Sequence, residues 1–250
     1  MRTKLLLCAL LMLIPQAHAD ALSAVQLSEL DSRGQLLCAS VMLYFHPKER
    51  TPDPRLLTSA FNHLQTLQTD VQQLGQPAEL AGPVRAMQQV FGKLESLPAA
   101  RRQEYPLLVR QLLAHQRELR AAAGSAYARE QRELPAEAPT PLLSEQSRAL
   151  ASFLLDYQLR HYPLVDKEQW LLSDEQVQSL DLDIEERFSR LRQLHAEHVE
   201  ALDKIHGNYQ FVRGQLQKAS LRANGGAEFY LGRAVTDLDE LALTVAQSVP

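Results

Sequence analysis

Apolar residues recur at spacings of three and four positions along most of the chain, and this periodicity constrains the fold more than any other feature. Side chains at these spacings lie on one face of an α-helix, so each such segment has an apolar face to bury. Glycine is scarce, at 10 of 250 residues, and no segment shows the pattern of a strand. The sequence therefore predicts an all-α protein whose helices pack as antiparallel bundles.

Two of the predicted helices have well-marked ends. One begins with Asp53 as N-cap and Pro54 at the first helical position, and it stops at Gly75. Another begins at Ser173, where Gln176 three residues later completes a capping-box pattern. The helices predicted from the whole pattern span 22–46, 55–74, 83–97, 100–132, 143–162, 174–206, 208–222 and 227–247.

The first residues have the pattern of a secretory signal peptide. Arg2 and Lys4 give a positive start, 5–14 is an apolar run, and small residues end the segment at Ala17 and Ala19. The run is shorter than the roughly 20 residues that cross a bilayer. We expect removal of 1–19 and a periplasmic or secreted protein.

No second long apolar run follows, so we expect no membrane span in the mature chain. The formal net charge of −4 becomes more negative when the signal peptide is removed, which argues against a nucleic-acid partner. Of the two cysteines, Cys8 lies in the signal peptide. Cys38 therefore has no intramolecular disulfide partner, and its apolar surroundings predict a core residue.

A proline-rich segment divides the chain into two halves, 20–134 and 142–250, joined by a predicted linker at 135–141. Faint similarity between the halves favours two four-helix units that arose by duplication, although helical sequences match one another easily. The pattern leaves open whether the halves form one bundle or two. The matching pairs are Ser32-Arg33 with Ser147-Arg148, and 105–112 with 209–216.

Three histidines lie close together in the predicted helix 174–206. If that helix is unbroken, His195, His198 and His206 all point into the bundle, where histidine is a common metal ligand. None of them has a glutamate three residues before it, as the di-iron bundles require. The alternative is that all three histidines are structural. We therefore predict that the protein has no cofactor, and we keep a metal site at these histidines as the less favoured hypothesis.

Sequence motifs for catalysis are missing. There is no Gly-x-Ser-x-Gly elbow, no glycine-rich phosphate loop and no His-Glu-x-x-His pair. The acidic clusters lie where carboxylates suit a helix dipole or the solvent. We therefore predict that the protein is not an enzyme.

Four arginines occupy matching places in the two halves and could face a small anion, since guanidinium groups bind anions in a bidentate manner. The alternative is that they form surface or interface salt bridges. These candidate ligand-binding residues are Arg33, Arg110, Arg148 and Arg213.

Short segments in both halves resemble the periplasmic helical-bundle sensor domains of type IV pilus-type methyl-accepting chemotaxis transducers and of nitrate/nitrite sensor kinases. They are 32–37 in the first half and 209–212 and 229–233 in the second. The resemblance implies a helical bundle that binds a ligand and has no activity of its own. Leu36 and Val41 stand where the nitrate sensors have arginines, so nitrate recognition is not expected.

These patterns together predict an exported helical-bundle protein that acts as a non-enzymatic binding, interaction or sensory accessory module. Its partner would be an envelope protein or a small anionic ligand. One alternative is a metal- or cofactor-binding bundle built on the histidines. Another is a structural scaffold of the envelope.

Overall fold

The computed structural model describes residues 2–49, 51–133, 140–217 and 225–248, with side chains from residue 21 onward except at position 133. Within these ranges the chain is helical and has no strand, so the all-α prediction is confirmed. The helices are α1 (Arg2–Tyr44), α2 (Pro54–Gln73), α3 (Ala78–Ser96), α4 (Tyr105–Glu133), α5 (Thr140–His161), α6 (Asp174–Leu194), α7 (Val199–Leu216) and α8 (Gly225–Ser248).

Three short 3-10 helices, Ala99–Glu104, Lys167–Trp170 and Ala196–His198, lie in the connections. Residues 2–20 continue α1 as backbone helix, while the side chains of the predicted signal peptide lie outside the described residues. In the part of the chain that the structure describes, none of the helices is both long enough and apolar enough to cross a membrane.

Local sequence signals account for the best-defined helix ends. The Asp53 side chain accepts a hydrogen bond from the Arg55 amide at 2.9 Å, directly before Pro54. At the other end of α2, Gly75 has a φ of +80° and the Gln76 amide donates to the Val71 carbonyl at 2.8 Å, a Schellman ending. The predicted start and stop of this helix are confirmed.

The predicted single helix 174–206 is wrong, because the chain breaks at His195. The backbone of His195 has φ −122° and ψ 57°, and α6 and α7 fold back on each other on either side of it. A straight 33-residue helix would be about 50 Å long and would leave part of its apolar stripe beyond its neighbours. The break places both apolar faces in one core.

Other boundaries also differ from the prediction. α3 begins at Ala78, with Pro83 inside it, whereas the predicted start was 83. α7 begins at Val199 and not at 208. Of the predicted linker 135–141, residues 135–139 lie outside the described residues and 140–141 form the start of α5.

α1 and α5 lie side by side and run in parallel at the centre of the molecule. The Ser28 hydroxyl donates to the Ser144 carbonyl at 3.4 Å, and the Tyr162 hydroxyl donates to the Phe45 carbonyl at 3.0 Å. One core cluster joins α1 to α2, α3 and α4 and includes the end of α5. The other joins α5 to α6, α7 and α8 and includes residues of α1. The two halves therefore share their central helices.

Helix pairing follows the same pattern in both halves. In each half the first helix packs on the second and the fourth, and the third packs on the fourth. This arrangement agrees with two four-helix units, while the duplication itself stays a prediction.

Candidate functional site

A cleft of 330 Å³ opens between the two halves, and we call it the interhalf cleft. Its walls come from the central helices α1 and α5, from α4 and α6, and from the connection between α5 and α6. The volume is at the lower end of the roughly 300–1,000 Å³ range of small-molecule sites. The lining residues are Gln35, Arg120, Ser152, Leu155, Asp156, Leu159, Trp170, Leu172, Gln176, Ser179, Leu180 and Asp183.

Two lining side chains each have a buried polar atom without a hydrogen-bond partner among the described residues. Gln35 is fully buried, and its Nε2 donates to Asp31 at 3.0 Å while its Oε1 accepts nothing. Trp170, the single tryptophan of the chain, has an unpartnered indole Nε1. A buried polar group that lacks a partner costs about 1–3 kcal/mol. Two residues of the lining therefore each have one unsatisfied polar atom that is buried behind the cleft surface.

The position of Trp170 is fixed by an ion pair and hydrogen bonds within its own half and by a cation–π contact from the other half. Asp156 accepts the Leu172 amide at 2.8 Å and the Arg160 guanidinium at 2.6 Å, and Arg160 in turn donates to the Leu172 carbonyl at 3.1 Å. From the other half, the Arg117 guanidinium lies 3.8 Å above the centre of the indole ring. This wall of the cleft is thus held before any ligand arrives.

Besides Asp156, two charged groups line the cleft, and they lie on different helices. Arg120 of α4 is half-exposed, and its ion pair with Asp31 is long, at 3.5 Å. Burial raises the pKa of Asp31, and the Arg120 and Arg148 guanidinium groups partly oppose that rise. Asp183 of α6 is also half-exposed and lies 4.0 Å from Arg187.

A separate ionic cluster is buried on the opposite face of α1. Arg33 donates from Nε to Glu29 at 2.9 Å and from Nη1 to Thr236 at 2.8 Å, and it lies 3.4 Å from Asp239 of α8. Asp239 also accepts hydrogen bonds from the hydroxyls of Ser32, at 3.1 Å, and Ser147. The matching serines of the two halves thus meet at one carboxylate, which ties α1, α5 and α8 together.

Two buried groups of α2 titrate abnormally beside this cluster. Burial raises the pKa of Asp70 to about 8, and the nearby carboxylates of Glu29 and Asp239 add to the rise. For His63, burial and the Arg33 charge lower the pKa to about 3. Burial also raises the pKa of Asp239 itself to about 7, against the lowering effect of Arg33. One buried guanidinium, that of Arg33, thus lies among three carboxyl groups, and two of these, Asp70 and Asp239, have raised pKa values.

The four arginines predicted to bind an anion do not line one site. Arg33 is held in the buried cluster, and Arg213 donates to both oxygens of Asp181 at 2.8 and 2.7 Å. Arg148 lies 4.5 Å above the ring of Tyr127. Arg110 is exposed on α4. No described side chain pairs with two of them.

The break at His195 separates the three predicted histidine ligands. The buried His195 ring lies 6.4 Å from that of His198, whereas His206 is on α7 with its Nε2 3.0 Å from Glu185. In the described ranges no group of three or more His, Cys, Asp or Glu side chains is placed to hold a metal ion. The prediction that the three histidines share one helical face is therefore wrong, and the metal site itself stays a prediction.

Sequence reasoning missed Gln35, Arg120 and Trp170, which come from three separate elements. The one available signal was the single tryptophan of the chain, which lies in a connection between two predicted helices.

Cys38, by contrast, lies fully buried in the core as predicted, and burial raises the pKa of its thiol.

Comparisons of the chain with protein-family models, with curated proteins and with solved structures gave no match.

Proposed function

We propose that this chain is an exported, non-enzymatic binding module that holds a small molecule in the interhalf cleft. The observation that carries the proposal is a cleft lined by several leucines and by two residues, Gln35 and Trp170, that each have one buried polar atom without a partner. A ligand that accepts from the indole and donates to the amide would satisfy both atoms once the lining side chains shift to admit it.

The signal-peptide pattern supports export to the periplasm or the medium. The resemblance to periplasmic sensor domains supports binding without chemistry. A ligand held between α1, α4, α5 and α6 would contact both halves at once, which is how binding could be passed to an envelope protein partner.

Trp170 makes the proposal directly testable, because all tryptophan fluorescence of the chain comes from this cleft. We expect a compound from a broad metabolite panel to change the Trp170 emission in a saturable manner. The same compound should raise the melting temperature with increasing concentration, since it binds the native state.

Matched variants locate the binding. Ser179→Phe, at the cleft, and Ser152→Phe, deeper in it, should weaken the response, whereas Ser189→Phe on the exposed face of α6 should leave it unchanged. A panel without any saturable response would refute the proposal. Turnover of a panel compound by the purified protein would refute its non-enzymatic part.

A further inference from the structure

We propose that the ligand of the interhalf cleft is a zwitterion with an apolar body, of the size of an amino acid or a dipeptide. This inference rests on the proposed function and adds the chemical class of the ligand. It follows from the way donors, acceptors and leucines are distributed around the cleft.

The donors of the cleft favour a carboxylate on the ligand. Arg120 is 54% exposed, and its contact with Asp31 is long. Asp31 already accepts amide hydrogens from Gln35 at 3.0 Å and Gln116 at 3.4 Å, so it does not depend on Arg120 for its hydrogen bonds. A guanidinium group binds a carboxylate through two parallel hydrogen bonds.

The acceptors favour an ammonium group. Asp183 is 55% exposed, and the nearest guanidinium, that of Arg187, is 4.0 Å away. Arg187 is committed to another partner, since its Nη1 donates to Gln146 Oε1 at 2.9 Å.

Ligands with one sign of charge fit the cleft less well. A simple anion at Arg120 would share the cleft with the carboxylate of Asp183, and a simple cation at Asp183 would share it with Arg120. The other lining carboxylate, that of Asp156, is already paired with Arg160 at 2.6 Å. Four leucines of the remaining wall, Leu155, Leu159, Leu172 and Leu180, are available to cover a hydrocarbon side chain.

Four leucine derivatives separate the contributions of the two charges. L-Leucine has both charges, N-acetyl-L-leucine has only the carboxylate, L-leucinamide has only the ammonium, and N-acetyl-L-leucinamide has neither. We would titrate each against the full protein at about pH 6.5, below the α-amino pKa of about 7.7–8.0. Binding would be followed by calorimetry and by Trp170 fluorescence.

We expect L-leucine to bind most tightly, with each blocked derivative weaker by about tenfold or more, as for a hydrogen bond to a charged group. Arg120→Gln should abolish only the preference for leucine over leucinamide, because it removes the group that binds the carboxylate. Asp183→Asn should abolish only the preference for leucine over N-acetylleucine, because it removes the group that binds the ammonium. Arg110→Gln, on the exposed face of the same helix as Arg120, should preserve both preferences.

Equal binding of the four derivatives, or tightest binding of a blocked one, would overturn the zwitterion inference and leave the proposed function intact. The zwitterion inference is also overturned if none of the four binds while another panel compound does so in a Ser152→Phe-sensitive manner. Only the failure of the whole panel would refute both proposals together.

Discussion

Arg33 lies in the core, where its guanidinium is shared between Glu29 on its own helix and Asp239 on α8. The sequence suggested a ligand contact because Arg33 has a matching partner in the other half, Arg148. One of the carboxylates that neutralise Arg33, that of Asp239, lies about two hundred positions away along the chain. Such pairing depends on tertiary packing and could not be predicted from local pattern.

Titration of Asp70 makes stability depend on pH. When the pKa of an acid is raised in the folded state, its contribution to stability is fully present at pH values below the pKa of the unfolded state. This contribution is lost as the pH rises through the folded-state pKa, which for Asp70 is about 8. Asp239, with a pKa of about 7, acts in the same direction. His63, lowered to about 3, acts only below its ordinary pKa of about 6.5. Above pH ~6.5, the pH dependence of stability from these three groups therefore comes from the two acids, Asp70 and Asp239.

We expect the free energy of unfolding to fall between about pH 6.5 and pH 8.5, by at most about 1.4 kcal/mol per pH unit for each group. Asp70→Asn mimics the protonated acid, so it should reduce this slope and stabilise the protein at the alkaline end. Urea titrations at a series of pH values measure the effect. Asp203→Asn, at a half-exposed carboxylate, is the control, and a slope that Asp70→Asn leaves unchanged would contradict the assignment.

At the level of elements, the connection between α5 and α6 shows how a loop becomes a cleft wall. Asp156 and Arg160 of α5 bind both backbone groups of Leu172, and Lys167 donates to the Arg160 carbonyl at 2.7 Å. These bonds hold the 3-10 helix that contains Trp170.

Asp156→Asn should loosen this wall. The substitution removes the charge that binds Arg160, and we expect a loss of about 1–3 kcal/mol of stability together with a red shift of the Trp170 emission. Urea unfolding and fluorescence spectra measure the two effects. Asp237→Asn, which faces Arg233 at 3.8 Å near the surface of α8, should change neither. A wild-type emission spectrum in Asp156→Asn would show that the ion pair does not position Trp170.

The break between α6 and α7 depends on contacts that periodicity does not contain. The apolar stripe is continuous through His195, so periodicity alone predicts one helix. Antiparallel contacts, such as Arg192 with Asp203 at 2.6 Å and Asp181 with Arg213 at 2.7 Å, stabilise the hairpin instead. No glycine or proline marks the turn, and for this reason the sequence did not reveal it.

For the whole molecule, helix type was predictable because each amphipathic stripe is a local property. The capping signals at Asp53 and Ser173 were local too, and the structure has both caps. The interhalf cleft was not predictable, since Gln35, Arg120 and Trp170 meet only after the two halves pack. A cleft formed by distant elements leaves no spacing in the sequence.

Shared central helices imply that the two halves unfold together. α1 and α5 contribute to both core clusters, so neither half keeps a complete core alone. We expect a single urea transition, with coincident midpoints for far-UV circular dichroism and Trp170 fluorescence. Two separated transitions would show that the halves are independent.

Binding of a small molecule in the interhalf cleft can be followed at the indole N–H of Trp170. A ¹⁵N-labelled protein has a single tryptophan indole cross-peak in its NMR spectrum. We would titrate it with L-leucine and with every panel compound that raises the melting temperature. We expect a saturable shift of this peak that Ser152→Phe abolishes. Saturable binding that shifts other resonances and leaves the indole peak in place would contradict it.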